Sequence, residues 1–364
     1  MVRGFSRTNE VDAFRTSVAL YGDIEADLTD KFLLGLAVRF ENYSDFGSTV
    51  NGKLTTRYKI SNDWTFRAAA SNGFRAPSLH QLNFSSTSTI FVDGEAFEVG
   101  VFNNESRPAQ LLGIPQLKQE ESTNFSGGFT GRIPSANLSI TIDVYIIDLK
   151  DRVVLTGQFK GGNDTPQEQE ISRLLQAANA SRAAFFANAI DSRTSGIDVV
   201  VTHKAKLGAG SLSTSLAATF AQTTLEEVNT SSVLEGLEDT YFDRTSQVFL
   251  ESAVPRTKIN LTLNYKLNNL TVFFRNVYFG AVDEATNNVA NDQEFAGKTV
   301  TDLSLGYQFN ERLSFTVGAN NLLDIYPDLN IEANQSSGRF LYSRRSQQFG
   351  ANGRYAFARL SFTL

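Results

Sequence analysis

The sequence predicts an all-β fold, an antiparallel sheet curled into a transmembrane β-barrel of the outer-membrane type. Three observations carry that prediction. From Phe14 onward, apolar residues recur at every second position over long stretches, the period of strands with one apolar face. The connections between these stretches take turns in length. Short ones lie near 29–30, 61–63, 133–136, 206–210, 267–269 and 310–311, and longer ones near 44–49, 76–118, 157–184, 225–255, 283–297 and 323–349. Short turns on one rim and long loops on the other are what such barrels show. Finally, mean hydropathy is −0.20, and no apolar run approaches the roughly 18 residues of a crossing helix. Alternating strands, which average out to a polar composition, stay permitted.

Taken in order, Val18, Leu20, Ile24, Ala26 and Leu28 oppose Ser17, Tyr21, Asp23, Glu25 and Asp27. After a Thr29-Asp30 turn, Leu34, Leu36, Val38 and Phe40 oppose Gly35, Arg39 and Glu41. The same grammar returns in Leu138, Ile140, Ile142, Val144 and Ile146, in Ile259, Leu261, Leu263, Tyr265 and Leu267, in Leu303, Leu305, Tyr307 and Phe309, and in Leu313, Phe315, Val317 and Ala319. About thirteen strands follow: 12–28, 31–43, 50–60, 64–74, 119–132, 137–156, 185–205, 211–224, 256–266, 270–282, 298–309, 312–322 and 350–364. Gln167–Ala187 departs from this period. It has helical composition, with Ile171, Leu174 and Leu175 on one face, and reads as a short helix within a long loop. No composition shift divides the 364 residues, so one domain, 1–364, is expected.

Composition excludes several functions. Net charge is −6 and the pI is about 5.2, which argues against a nucleic-acid partner. With no cysteine there is neither a disulfide scaffold nor a Cys-based metal site. The two histidines, His80 and His203, sit in no ligand-like cluster. No H-E-x-x-H, G-x-S-x-G or phosphate-cradling loop occurs, so neither enzyme activity nor a cofactor is expected. The first ten residues lack the apolar core and cleavage site of a signal peptide.

Ser71 to Leu82 reads SNGFRAPSLHQL: Gly73 where the backbone bends, Phe74 and Arg75 at the rim, then Ala76 and Pro77, the proline ending ladder pairing. This stretch resembles the strand-end motif of TonB-dependent outer-membrane receptors. Three further places are similar to that family. Leu117–Gly128 resembles its L-x-P-E-x-S-x-N-x-E-x-G strand start and includes Asn124, with Gln119 in place of proline and Ser126 in place of glutamate. Gly318–Pro327 contains Asn321, Leu322 and Asp324 and is similar to V-x-N-L-F-D-x-x-Y. In the terminal strand Arg354–Leu364, Leu360, Phe362 and Leu364 share one face, a pattern that barrel-insertion machinery is expected to recognise.

The resemblance implies a barrel of about 22 strands closed around a plug, with transport powered through TonB. Signal peptide, TonB box and plug have no counterpart in this sequence, so the expectation is the C-terminal part of a receptor, lacking the plug and about nine strands. An isolated open sheet would leave two unpaired edges in lipid. The implied partners are outer-membrane lipid and lipopolysaccharide, the TonB complex through the missing plug, and a scarce solute such as a ferric siderophore or cobalamin. Two loop regions are candidates for ligand contact. One is Asn103, Asn104, Glu105 and Arg107 with Phe91, Phe97 and Phe102; the other is Arg339, Tyr342, Arg344 and Arg345 with Phe340 and Phe349. Cations beside aromatics suit an anionic ferric chelate. The alternative is a rim that meets lipopolysaccharide phosphates or is simply solvated. Arg39, Arg67 and Arg275 are expected to pair with acidic residues across neighbouring strands. Competing readings of the whole are a non-energised porin or adhesin-like barrel and a barrel enzyme, which would need His80 or His203.

Overall fold

The computed structural model describes residues 10–92, 95–162, 164–177, 181–231, 234–335 and 338–363, with the side chains of 87–98 outside that description. Its first four strands, β1 (Ser17–Asp27), β2 (Phe32–Tyr43), β3 (Gly47–Lys59) and β4 (Trp64–Arg75), form an antiparallel meander. A long loop follows, carrying helix α1 (Leu79–Asn83), strands β5 (Ser86–Val92) and β6 (Glu95–Phe102), and α2 (Arg107–Leu111). Next come β7 (Glu120–Ile133), β8 (Leu138–Leu155), β9 (Phe159–Lys160), α3 (Pro166–Gln176), β10 (Arg182–Leu207) and β11 (Gly210–Val228). Helices α4 (Glu238–Tyr241) and α5 (Arg244–Ser252) precede β12 (Thr257–Leu267) and β13 (Leu270–Phe279). The chain ends with the ribbon β14 (Val282–Glu284) and β15 (Gln293–Phe295), then β16 (Lys298–Gln308), β17 (Leu313–Asn320) and β18 (Tyr355–Phe362).

The main sheet runs β1-β2-β3-β4-β7-β8-β10-β11-β12-β13-β16-β17-β18, each strand antiparallel to the next in sequence order. The sheet is not closed: β1 and β18 end the path. Short turns close one rim. Asn268, at φ 49°, makes the two-residue connection between Leu267 and Leu270, and Gly208, at φ 59°, does the same between Leu207 and Gly210. Such hairpins need positive φ, which asparagine and glycine adopt at least cost.

Register places the alternating residues as the sequence predicts. Leu34, Thr56, Ala68, Gly127, Val144 and Ile197 lie in one row across six strands, and Leu36, Leu54, Ala70, Phe125 and Ile146 in the next. This face is apolar yet open, with Leu20 71% and Phe125 54% exposed, as a surface that meets lipid must be. The opposite face is polar. Arg275 on β13 stands opposite Asp302 on β16 and pairs with it, as expected. Arg67 on β4 also finds a carboxylate, Asp143, but two strands away on β8. Arg39 corrects the expectation of a cross-strand partner: it bonds Glu41 on its own strand, because residues i and i+2 share a face.

On β8 the apolar face covers 138–146, close to the roughly 9–11 residues that cross a bilayer. Above it, Asp148 pairs with Arg193 of β10 at 2.6 Å. The ends of β8, β10 and β11 therefore stand clear of the apolar belt.

Several expected boundaries are corrected. The loop near 44–49 is only the turn between Tyr43 and Gly47, made possible by Gly47 at φ 94°. The 76–118 loop contains a hairpin, β5–β6. The helix expected over 167–187 ends at Gln176, and Arg182–Ala187 is strand instead. There, pairing with β6, β8 and β9 and complete burial of Phe185 outweigh the helix propensity of an alanine-rich stretch. The first strand begins at Ser17 and the last at Tyr355, both later than expected.

Candidate functional site

Everything above the polar end of the strands is built from the long loops, and these gather into two assemblies. The first has an apolar core. The loops after β4, β8 and β11 bring together Leu112, Phe159, Leu174, Leu175, Leu234 and Tyr241 around Phe185 of β10. Strand β6 lies parallel to Arg182–Phe185 on one side, and β9 pairs with the same stretch. Helix α3 starts with a capping box: Thr165 accepts from the Glu168 N–H, Glu168 accepts from the Thr165 N–H, and Pro166 fills the first helical position. Its Ile171, Leu174 and Leu175 are all buried, as their spacing predicts.

This assembly absorbs most of the first candidate region. Asn104 is buried, and its amide donates to the Pro115 and Phe186 carbonyls at 2.6 and 3.0 Å. Phe102 leans on Phe185, with ring centroids 6.2 Å apart. Both serve the loop core rather than a ligand surface. Glu105 and Arg107 are exposed, the latter opening α2. The side chains of Phe91 and Phe97 lie outside the described residues.

The second assembly is held mainly by hydrogen bonds. Gln348, buried, donates its amide to the carbonyls of Gly280 at 2.6 Å and Ala296 at 3.0 Å, at the base of the β14–β15 ribbon. The Ser346 hydroxyl donates to the Asp283 carbonyl at 2.7 Å. Asn330 pins the other side, its N–H on the Leu341 carbonyl and its amide on the Phe340 carbonyl, both 2.8 Å. Between these anchors the chain presents Arg339, Phe340, Leu341, Arg344 and Arg345 to solvent. Arg344 stacks over the Phe340 ring at 4.3 Å, and Tyr342 stacks on Tyr326 at 6.5 Å. Phe349 instead packs on Phe279 of β13.

The ribbon is in turn tied to α5. Arg244 makes a two-pronged pair with Asp292, at 2.5 and 3.0 Å, and donates to the Thr286 carbonyl at 2.6 Å. The hydrogen bond from Arg244, followed by that from the Thr286 N–H, holds the Asp292 carboxyl below its ordinary range. Asp243 caps α5. Burial pushes its carboxyl up, but bonds from Ser246 and Thr245 and the charge of Arg345 outweigh this and bring it down.

The motif residues are structural pins at the loop–strand junctions. Arg75 reaches Glu120 at 3.3 Å, and the Glu120 carboxylate, 4% exposed, accepts the Val153 N–H at 2.9 Å. Phe74 packs against Tyr43 and Phe46. The buried Pro77 offers its carbonyl to Arg15, which also clamps Asp45. Gly73 faces Ser122, whose hydroxyl would lie 2.9 Å from a Cβ there, and Ala76 is half-buried. The Asn124 amide donates to the same Ser122 hydroxyl. Asn321, at φ 49°, closes a loop onto Ile325 through both ends of its side chain. Its own N–H goes to Asp302. Leu322 donates to the Thr301 carbonyl, and Asp324 accepts from the Arg354 N–H. Phe362 faces outward on β18, 64% exposed; Leu364 lies outside the described residues.

A family model described as TonB dependent receptor-like, beta-barrel, matches residues 3–322. The chain belongs to the TonB-dependent receptor β-barrel family. Among solved structures, this receptor barrel is similar to the ferric enterobactin receptor PfeA of Pseudomonas aeruginosa, with TM-score 0.67 and 16% identity over 96% of this chain and 45% of that one. It is also similar to the siderophore receptor PirA of Acinetobacter baumannii, with TM-score 0.63 and 17% identity over 96% of this chain and 46% of that one. The ferripyoverdine receptor of the Pseudomonas aeruginosa outer membrane gives TM-score 0.59 and 14% identity over 95% and 38%. At such identities the likeness concerns the fold, and the chain spans less than half the length of these receptors. A comparison with curated proteins finds no match.

The family consists of outer-membrane receptors and transporters, not enzymes. In this receptor barrel His80 follows β4 at the long-loop rim, while His203 lies near the short-turn rim of β10, so no site contains both. Among the described residues no group of three or more acidic, histidine or cysteine side chains could hold a metal ion. Among the features above that sequence reading missed are the loop core, Asn330, Gln348 and the Arg244–Asp292 pair. The only local signal among them was the Ile171, Leu174, Leu175 stripe.

Proposed function

We propose that this chain supplies barrel wall and outward-facing loops to a TonB-dependent receptor that takes up an anionic ferric siderophore across the outer membrane. The observation that carries this reading is the exposed platform Arg339–Arg345, where the Arg344 guanidinium stacks on Phe340 and Arg339 and Arg345 are also exposed, on a loop bonded down at both ends. Delocalised cations next to a ring suit a chelate that is anionic and carries planar or carboxylate groups. A corrinoid such as cobalamin makes less use of exposed guanidiniums. In this reading the chain contributes part of a barrel of about 22 strands, with the plug and the contact to TonB supplied by sequence outside these 364 residues.

The test has two arms. Reading the DNA upstream of the Met1 codon should reveal a frame for a plug and a TonB box. Uptake of a radiolabelled ferric siderophore by iron-starved cells carrying the full gene should then stop when the proton gradient is collapsed. Uptake that ignores the gradient, with no plug upstream, would instead identify a non-energised barrel.

A further inference from the structure

Phe340 sits in the left-handed region, at φ 55°, a costly conformation for a bulky side chain that persists only where its surroundings over-determine it. What holds it is visible on both sides. Asn330 takes the carbonyls of Phe340 and of Leu341, the two peptide groups that follow the strained torsion. Eight positions further along, Gln348 fastens the return of the loop to Gly280 and Ala296. Ser346 adds the Asp283 carbonyl between them. The side chains that fix the loop are buried, whereas Arg339, Phe340, Arg344 and Arg345 are exposed. A loop built only to be solvated needs neither the strain nor the buried amides.

We infer that Asn330 and Gln348 are positioning residues that present the Phe340–Arg344 pair in a fixed geometry, so that the receptor meets its ligand with this platform already formed. The inference rests on the reading of that platform as a ligand surface. Its physical content is that the ordering cost of an exposed loop is met during folding rather than on binding. Carbonyls that lose these donors would otherwise release the loop.

The experiment uses the full-length receptor in detergent, with ferric enterobactin and ferripyoverdine as probes, and the variants Asn330→Ala, Gln348→Met and Arg344→Ala. Heat-modifiable migration shows whether each barrel is folded. Hydrogen exchange over 338–349 should rise in Asn330→Ala and Gln348→Met while exchange in the β7–β8 hairpin stays unchanged. Affinity for the better probe should fall about tenfold in each positioning variant, equivalent to about 1.4 kcal/mol. In the Arg344→Ala background the same changes should cost less than about twofold, because positioning acts through that guanidinium. Unchanged exchange in both variants, or affinity losses that simply multiply with Arg344→Ala, would overturn the inference. Arg344→Ala binding both probes normally would overturn the ligand reading instead, and the exchange arm would still decide whether the two amides hold the loop.

Discussion

The guanidinium of Arg67 on β4 reaches over Gly128 on β7 to grip the carboxylate of Asp143 on β8, at 2.6 and 2.7 Å. The three residues share one row of the polar face, and the bridge spans two strand spacings because the middle position has no side chain. A Cβ on Gly128 would lie 2.0 Å from the Asp143 carboxylate and 2.7 Å from the Arg67 Nε. Gly128→Val should therefore break the pair. Both partners are a third to a half exposed, so the loss should stay within about 1 kcal/mol, read as a small drop in the denaturant midpoint of the refolded receptor. A loss of several kcal/mol would mean that the bridge contributes more than an exposed pair can.

Charge placed on the apolar face should be far more damaging. Ile142→Arg and Leu261→Arg put a guanidinium in mid-strand on the lipid side, at a cost of roughly 2–4 kcal/mol each near the bilayer midplane. Neither variant should assemble into membranes efficiently. Normal insertion of both would contradict the assigned facing.

The loop core separates from the barrel in the same way. Leu175→Ala empties a site only 1% exposed and should cost about 2–5 kcal/mol locally. Limited proteolysis should then cut within 156–181 while the barrel keeps its heat-modifiable migration. Loss of migration instead would show that the barrel depends on the loop core.

Asn321 tests the motif as structure. Asn321→Ala loses two side-chain bonds to Ile325 and leaves alanine at φ 49°, together about 2–3 kcal/mol. Asn321→Gly keeps the backbone conformation, so it should recover part of the loss in a thermal melt.

Acid should release the ribbon from α5. The Asp292 carboxyl is held low in the folded chain, so its contribution is complete above the ordinary aspartate value near 4 and fades as pH falls through the lower folded value. Exchange at 285–297 should be flat from neutral pH down to about 4, once corrected for intrinsic rate, and rise below it. Asp292→Asn should show the raised rate at every pH.

Alternation of side chains is a local property with period two, so the strands, their apolar and polar faces and the two kinds of rim could be read from the sequence alone. The same holds for an acidic partner to Arg275 on a neighbouring strand, which the structure shows to be Asp302, and for the buried face of α3. Loop architecture could not be read, because it rests on contacts between segments far apart in the chain. Asn104 looks like a polar loop residue until Phe186, 82 positions away, supplies its carbonyl. Arg182–Ala187 looks helical until three other strands claim its backbone. The clustered arginines of 339–345 announce a charged patch, but whether it is loose or fixed depends on Gly280, Ala296 and Asn330. Periodicity determined which way each strand residue faces; only packing across distant loops decided which of the exposed cations stand on a rigid surface.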